Sequence, residues 1–297
     1  MLGKRPGRRR LFGTVESMAG PVSPKGSRIA LVLGGGGPVG ISWLAGLAVG
    51  LREAGIDLGL ADRFVGTSAG AVVGTVLAAG ADPIRLLTPP SADAPPLRAD
   101  PARLGEIFAT MTEPGIAPKD ARRKIGALAM AADVGAPGAH IDRMRALVGI
   151  DDWPDRDIVL TAIDAHSGDL RTWTPGGAAT LAEALAATTS VPGVLPPIPI
   201  DGRTYIDGGL RSAVNADLAL PADVVVILEP LAHMFPRTRA DRELGSAREI
   251  SVVPDAAAVA AFGSDVFAVA ALTPAFESGV RQSADAATSL KDVWPAR

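Results

Sequence analysis

Hydrophobic residues in this chain fall into two patterns, short unbroken runs that stop at glycines and longer segments with helical spacing. The run from Arg28 to Leu33, RIALVL, ends at four consecutive glycines, as a strand buried on both faces does when it feeds a tight turn. From Val39 to Ala54 the residues Ile41, Leu44, Leu47, Ala48 and Leu51 recur on one helical face, and Gly55 supplies the left-handed position that ends a helix. A second unit comes next. Arg63 to Val65 is a short extended run entering Gly66-Thr67-Ser68-Ala69-Gly70, and Ala69 to Ala79 is helix-forming until Gly80. Two consecutive strand-to-helix turns predict an α/β fold with a mainly parallel sheet.

The middle of the chain changes character. The Pro-rich break Thr88 to Pro96 is followed by helical patterns near Pro101 to Thr112, Pro118 to Ala132 and Ile141 to Val148, read together as a helical insertion over about 97–148. Its residues Ile107, Phe108, Met111, Leu128, Met130 and Met144 are candidates for core, or for the lining of a tunnel or a lid. Strands resume at Ile158 to Asp164, with a hairpin through AHSGDLRTW, and Thr180 to Ala187 is helical. The segment SVPGVLPPIPIDGRTYIDGG predicts loop with a short strand at Thr204 to Ile206, and Asp223 to Leu228 is the clearest late strand. Residues 254–297 read as helical, with Ala257, Val259, Ala260, Val266, Val269 and Leu272 on an apolar face. The expected organisation is a basic tail over 1–27 and one domain over 28–297.

Composition narrows the function. A net charge of −3 gives no electrostatic footprint for nucleic acid, so none is expected as a partner. The absence of cysteine removes thiolate chemistry and Cys-ligated metals, and three scattered histidines argue against a metal site. The first 27 residues are basic and lack the apolar core of a secretory signal. They predict a solvated tail, or an extension upstream of Met18, on a cytoplasmic protein that can touch anionic membrane surfaces peripherally.

Three constellations carry chemistry. Gly66-Thr67-Ser68-Ala69-Gly70 is a G-x-S-x-G pattern between a strand and a helix, the context of a nucleophile elbow with Ser68 at its tip. Gly34-Gly35-Gly36-Gly37-Pro38-Val39-Gly40 can aim a row of backbone N–H groups at an anion, as an oxyanion hole or a phosphate cradle. Gly35, Gly37 and Gly40 also satisfy dinucleotide-binding spacing, but the acidic residue that such binding needs after the next strand is missing. Asp207, ahead of Gly208 and Gly209, is the best candidate base. The order Ser68, Asp207, His233 also matches an α/β-hydrolase triad, whereas His140 and His166 read as surface histidines.

In this order, GGGGPVG, GTSAG and DGG resemble the three signatures of patatin-like phospholipases, and Thr188-Thr189-Ser190-Val191-Pro192 is similar to the segment preceding DGG in that family. The resemblance implies a three-layer α/β/α fold and a Ser-Asp dyad without histidine. Ser68 would be the nucleophile, Asp207 the base, and the N–H groups of Gly35, Gly36 and Gly37 the oxyanion donors, with Gly40, Gly66, Gly70, Gly208 and Gly209 supporting the motifs. It further implies fatty acyl ester or phospholipid substrates and neither cofactor nor metal. Where the family often carries Arg or Lys before the last glycine of the loop, this chain has Val39. That departure keeps a catalytically silent lipid-binding protein as the competing class.

Overall fold

The computed structural model describes residues 27–87 and 101–295. Its strands are β1 (Ile29–Leu33), β2 (Arg63–Gly66), β3 (Asp157–Asp164), β4 (Leu170–Trp173), β5 (Ile198–Ile200), β6 (Arg203–Asp207), β7 (Val224–Leu228) and β8 (Arg248–Val252). Its helices are α1 (Gly37–Glu53), α2 (Ala69–Ala78), α3 (Pro101–Met111), α4 (Pro118–Met130), α5 (Pro137–Val148), α6 (Leu181–Thr188), α7 (Ala256–Phe262) and α8 (Leu272–Leu290). The sheet order is β5-β6-β3-β2-β1-β7-β8, with β4 also pairing β3. β3, β2, β1, β7 and β8 run parallel, and β4, β5 and β6 pair antiparallel.

The unbroken apolar runs are explained by burial of both faces of the sheet. Along β1, Ile29, Leu31 and Leu33 face one core with α1, α2, α5, α6 and α8, while Ala30 and Val32 face the other with Val225 and Ile227. The insertion crosses between layers. Ile107 of α3 and Ile125 of α4 pack on Ile163 and Ile206 on the second face, whereas Met144 and Val148 of α5 join the first core. This is the α/β/α arrangement expected. Of the insertion's apolar residues, Ile107 and Met144 are core, while Phe108 and Met130 are exposed.

Several expectations are corrected. β5 is a strand despite Pro199, which is tolerated because β5 lies at the sheet edge. β8 carries no unbroken apolar run, since its exposed Arg248, Glu249 and Ser251 alternate with buried Ile250 and Val252. The C-terminal segment is not one apolar face: Ala257, Ala260 and Val269 are exposed, and Gly263 ends α7 well before α8 begins. α8 instead packs through small residues. A Cβ on Gly46 of α1 would lie 2.1 Å from the Phe276 carbonyl oxygen, and one on Gly279 would lie 2.2 Å from that of Trp43, so only glycines permit this approach. Trp43 Nε1 donates to Gln282 Oε1 at 2.9 Å across the same contact. The tail expected over 1–27 lies almost wholly outside the described residues. No described helix is long and apolar enough to cross a membrane.

Candidate active site

β1, β2 and β6 end together, and their register brings the three motifs to one place. Leu33 pairs with Gly66, and Ala162 of β3, beside the β2 partner Leu160, pairs with Asp207. Ser68 sits between β2 and α2 with φ 51° and ψ −118°, a left-handed backbone in a non-glycine residue. Such strain is held only where the surroundings over-determine it. Here they do. Gly70 packs so tightly that a Cβ would lie 2.0 Å from the Leu33 carbonyl oxygen, a Cβ on Gly66 would lie 2.5 Å from the Ala71 Cα, and Ser68 N–H donates to Thr188 Oγ1 at 2.9 Å.

The glycine loop serves a different purpose. The helix α1 begins at Gly37, two residues earlier than the hydrophobic spacing suggests, because Gly37 adopts φ +58° and Pro38 occupies the first turn without needing a donor. Val39 is therefore core and not loop: it is buried, and its N–H donates to the Val266 carbonyl at 3.1 Å. The expected trio of donors is also corrected. Gly35 N–H already donates to the Ala213 carbonyl at 2.8 Å, so it does not face an incoming oxygen. No hydrogen bond is formed by the N–H groups of Gly36 and Gly37 among the described residues. They lie at the start of α1, whose first turn carries no acidic residue to neutralise the positive end of the helix. Gly40 completes the turn, its N–H donating to the Gly36 carbonyl at 2.8 Å.

Asp207 is the last residue of β6, directly before Gly208 and Gly209. Its carboxylate is buried, and Oδ1 accepts from Gly209 N–H at 2.7 Å while Oδ2 has no hydrogen-bond partner. Burial pushes its pKa up to about 6, opposed in part by the Gly209 N–H and by the neighbouring Ser68 hydroxyl. The Ser68 hydroxyl is thus close enough to influence the carboxylate, although no aligned bond closes onto Oδ2. Serine, carboxylate and two open N–H groups therefore share one end of the sheet, with the Ser68 and Asp207 side chains both buried.

The histidines separate cleanly. His233 is exposed on the segment after β7, its ring 6.2 Å from that of Phe262, and it makes no bond to Asp207. The structure does not assemble the triad. His166 is exposed, as expected. His140, expected at the surface, is buried on α5, with Nε2 2.9 Å from Thr189 Oγ1 and a pKa lowered by burial to about 4. No described group of acidic or histidine residues could hold a metal.

Sequence reasoning missed Thr161 and Asn215, which lie behind these residues. Thr67 Oγ1 lies 3.0 Å from Thr161 Oγ1, and Asn215 Nδ2 donates to Thr67 Oγ1 at 3.0 Å. The Thr188-Thr189-Ser190 segment touches the site twice, through Thr188 at Ser68 and through the Ser190 carbonyl, which accepts Asp207 N–H at 3.0 Å. A small cavity behind the glycine loop, lined by Gly34, Gly35, Ala213, Pro230 and Phe235, holds about 10 Å³ and has room for no acyl group.

A family model described as Patatin-like phospholipase matches residues 31–220, more than half of the chain. No curated protein sequence matches the chain. Among solved structures the chain is similar to VipD from Legionella pneumophila, with TM-score 0.46 and 14% identity over 91% of this chain and 69% of that one. It is also similar to the type III effector protein ExoU, with TM-score 0.38 and 16% identity over 91% of this chain and 54% of that one. The ExoU-SpcU complex from Pseudomonas aeruginosa gives TM-score 0.36 and 19% identity over 88% of this chain and 52% of that one. The chain thus spans little more than half the length of the ExoU chains it matches.

Proposed function

The chain belongs to the patatin-like phospholipase family, and on that footing we propose that it is a serine lipid acyl hydrolase of phospholipase A type, working through Ser68 and Asp207 without histidine. The observation that carries this reading is the strained Ser68 held beside a buried carboxylate whose Oδ2 is unpartnered. In the reaction, Ser68 Oγ attacks the ester carbonyl and its proton passes to Asp207 Oδ2. The developing oxyanion takes hydrogen bonds from the N–H groups of Gly36 and Gly37, with the starts of α1 and α2 favouring the charge. The proton returns to the leaving alkoxide, and water activated by the same carboxylate then cleaves the acyl-enzyme. A carboxyl pKa of about 6 suits both steps, since the group is ionised at neutral pH and still basic enough to hold a proton transiently.

The substrate class is a fatty acyl ester or phospholipid, met by peripheral contact with a lipid surface. Labelling of the full chain with a fluorophosphonate probe, followed by hydrolysis of nitrophenyl acyl esters and a lipid panel, tests the reading. Wild type should be labelled and Ser68→Ala should not. Failure of the probe to label wild type, with no turnover of any ester, sinks the proposal and favours a silent lipid-binding protein.

A further inference from the structure

Asn215 lies eight residues beyond Asp207, in the segment between β6 and β7, and none of the three motifs contains it. It is fully buried and left-handed, with φ 53°. Its side-chain amide is oriented by its partners. Arg211 is a donor only, and its Nη1 lies 2.7 Å from the amide oxygen. The carbonyls of Ser212 and Gly208 are acceptors only, and they lie 2.9 Å and 3.3 Å from Nδ2, which also donates to Thr67 Oγ1 at 3.0 Å. The two amide hydrogens are therefore shared among three acceptors.

Each acceptor belongs to a different part of the site. Thr67 precedes Ser68, and Gly208 follows Asp207. Ser212 precedes Ala213, whose carbonyl holds Gly35 N–H at 2.8 Å. The bond to Thr67 extends further: Thr67 Oγ1 shares a hydrogen bond with Thr161 Oγ1 at 3.0 Å, and Thr161 Oγ1 lies 3.5 Å from the Gly66 carbonyl oxygen. Thr161 in turn fixes Gly208 sterically, since a Cβ on Gly208 would lie 2.2 Å from Thr161 Oγ1. Nothing in this set is replaceable by solvent, because Thr67, Thr161 and Asn215 are all fully buried. Asn215 is itself anchored on both sides. Asp241, also fully buried, accepts from Ser212 Oγ at 2.7 Å and from Ala216 N–H at 3.0 Å.

We propose that Asn215 is a positioning residue for the hydrolytic reaction, a single amide that fixes nucleophile turn, base and donor loop relative to one another through Thr67, Gly208 and Ser212. The inference rests on the Ser68-Asp207 reading above. Without the amide, the strand register and the Thr188 and Ser190 bonds remain, but the motifs lose a side chain that touches all three.

The test uses the full chain and compares Asn215→Gly, which keeps the left-handed backbone, with Thr67→Val, which keeps shape but removes the hydroxyl, and Thr67→Ser, which restores it. Probe-labelling rate, kcat per labelled site and KM are read on the folded fraction. Asn215→Gly and Thr67→Val should each lower kcat and labelling rate about 10- to 100-fold at unchanged KM, the effect of sub-ångström misplacement. The double variant should fall no more than about threefold below the worse single, because both remove one linkage. Thr67→Ser should return within about threefold of wild type. Kinetics per site within about twofold of wild type in both Asn215→Gly and Thr67→Val, or a fully multiplicative double variant, would overturn the inference. An unlabelled wild type would instead defeat the reading on which it rests.

Discussion

The two strand-to-helix turns of this protein share a plan and solve opposite problems. Between β1 and α1 the left-handed position is Gly37, no side chain projects, and backbone N–H groups are left open. Between β2 and α2 the left-handed position is Ser68, the backbone is strained and a hydroxyl projects. The first turn uses glycine to make donors, and the second places its glycines at Gly66 and Gly70 so that a serine can take the strained place. A glycine-rich turn is thus assigned by which residue takes the positive φ and where the N–H groups go, not by its glycine count.

The sharpest break of this comparison is at Ser68. Ser68→Ala and Ser68→Gly should both abolish ester hydrolysis, by about 10⁴-fold or more. Ser68→Gly should in addition raise stability by about 1 kcal/mol, measured by urea unfolding, because glycine takes the left-handed backbone without strain. A Ser68→Gly variant no more stable than Ser68→Ala would show that the elbow stores no strain.

Asp207 sharpens the same turn through pH. Its folded-state pKa is raised from 3.8 to about 6, so the protonated form favours the fold. That contribution is complete below about pH 4 and is lost as pH rises through about 6. Activity runs the other way and should fall about tenfold per pH unit below about 6, where the base is protonated. Asp207→Asn should reduce turnover by about 10⁴-fold. It should also be more stable than wild type at pH 8, by about 1 to 3 kcal/mol, with the advantage vanishing at pH 4. Melting curves at the two pH values check this.

The first turn is tested more gently. A Cβ at Gly36 would lie 2.8 Å from both Gly40 Cα and Pro230 Cβ, so Gly36→Ala must displace the loop. It should lower kcat by about 10² to 10³-fold while Ser68 remains the labelled residue. The smallest effect is expected outside both turns: His233→Ala should keep kcat/KM within about twofold of wild type, because the ring is exposed and touches neither Asp207 oxygen. A large loss there would restore the triad.

Local chemistry made much of this legible. The apolar runs ending at Gly34 and Gly66, the helical spacing from Ile41 to Leu51 and the helical pattern from Thr180 to Ala187 all act within a few residues, and each element they mark is present. β5 and β8 were hidden because Pro199 and the charges of β8 suit an edge position, which depends on neighbours far away in sequence. His140 was misjudged for the same reason. Its burial is set by α6 and Thr189, 49 residues later.

By itself, then, the sequence determined the candidates for nucleophile, base and donor, since strand-to-helix turns, glycines and an Asp before Gly are local facts. Only the tertiary structure decided which of them remain available. It committed Gly35 to Ala213, placed Val39 in the core, kept His233 from the carboxylate and left Asp207 Oδ2 bare. It also joined Asn215 to Thr67 across 148 residues of chain. The reason is physical: a buried polar group must find a partner wherever packing brings one, and packing is a property of the whole fold.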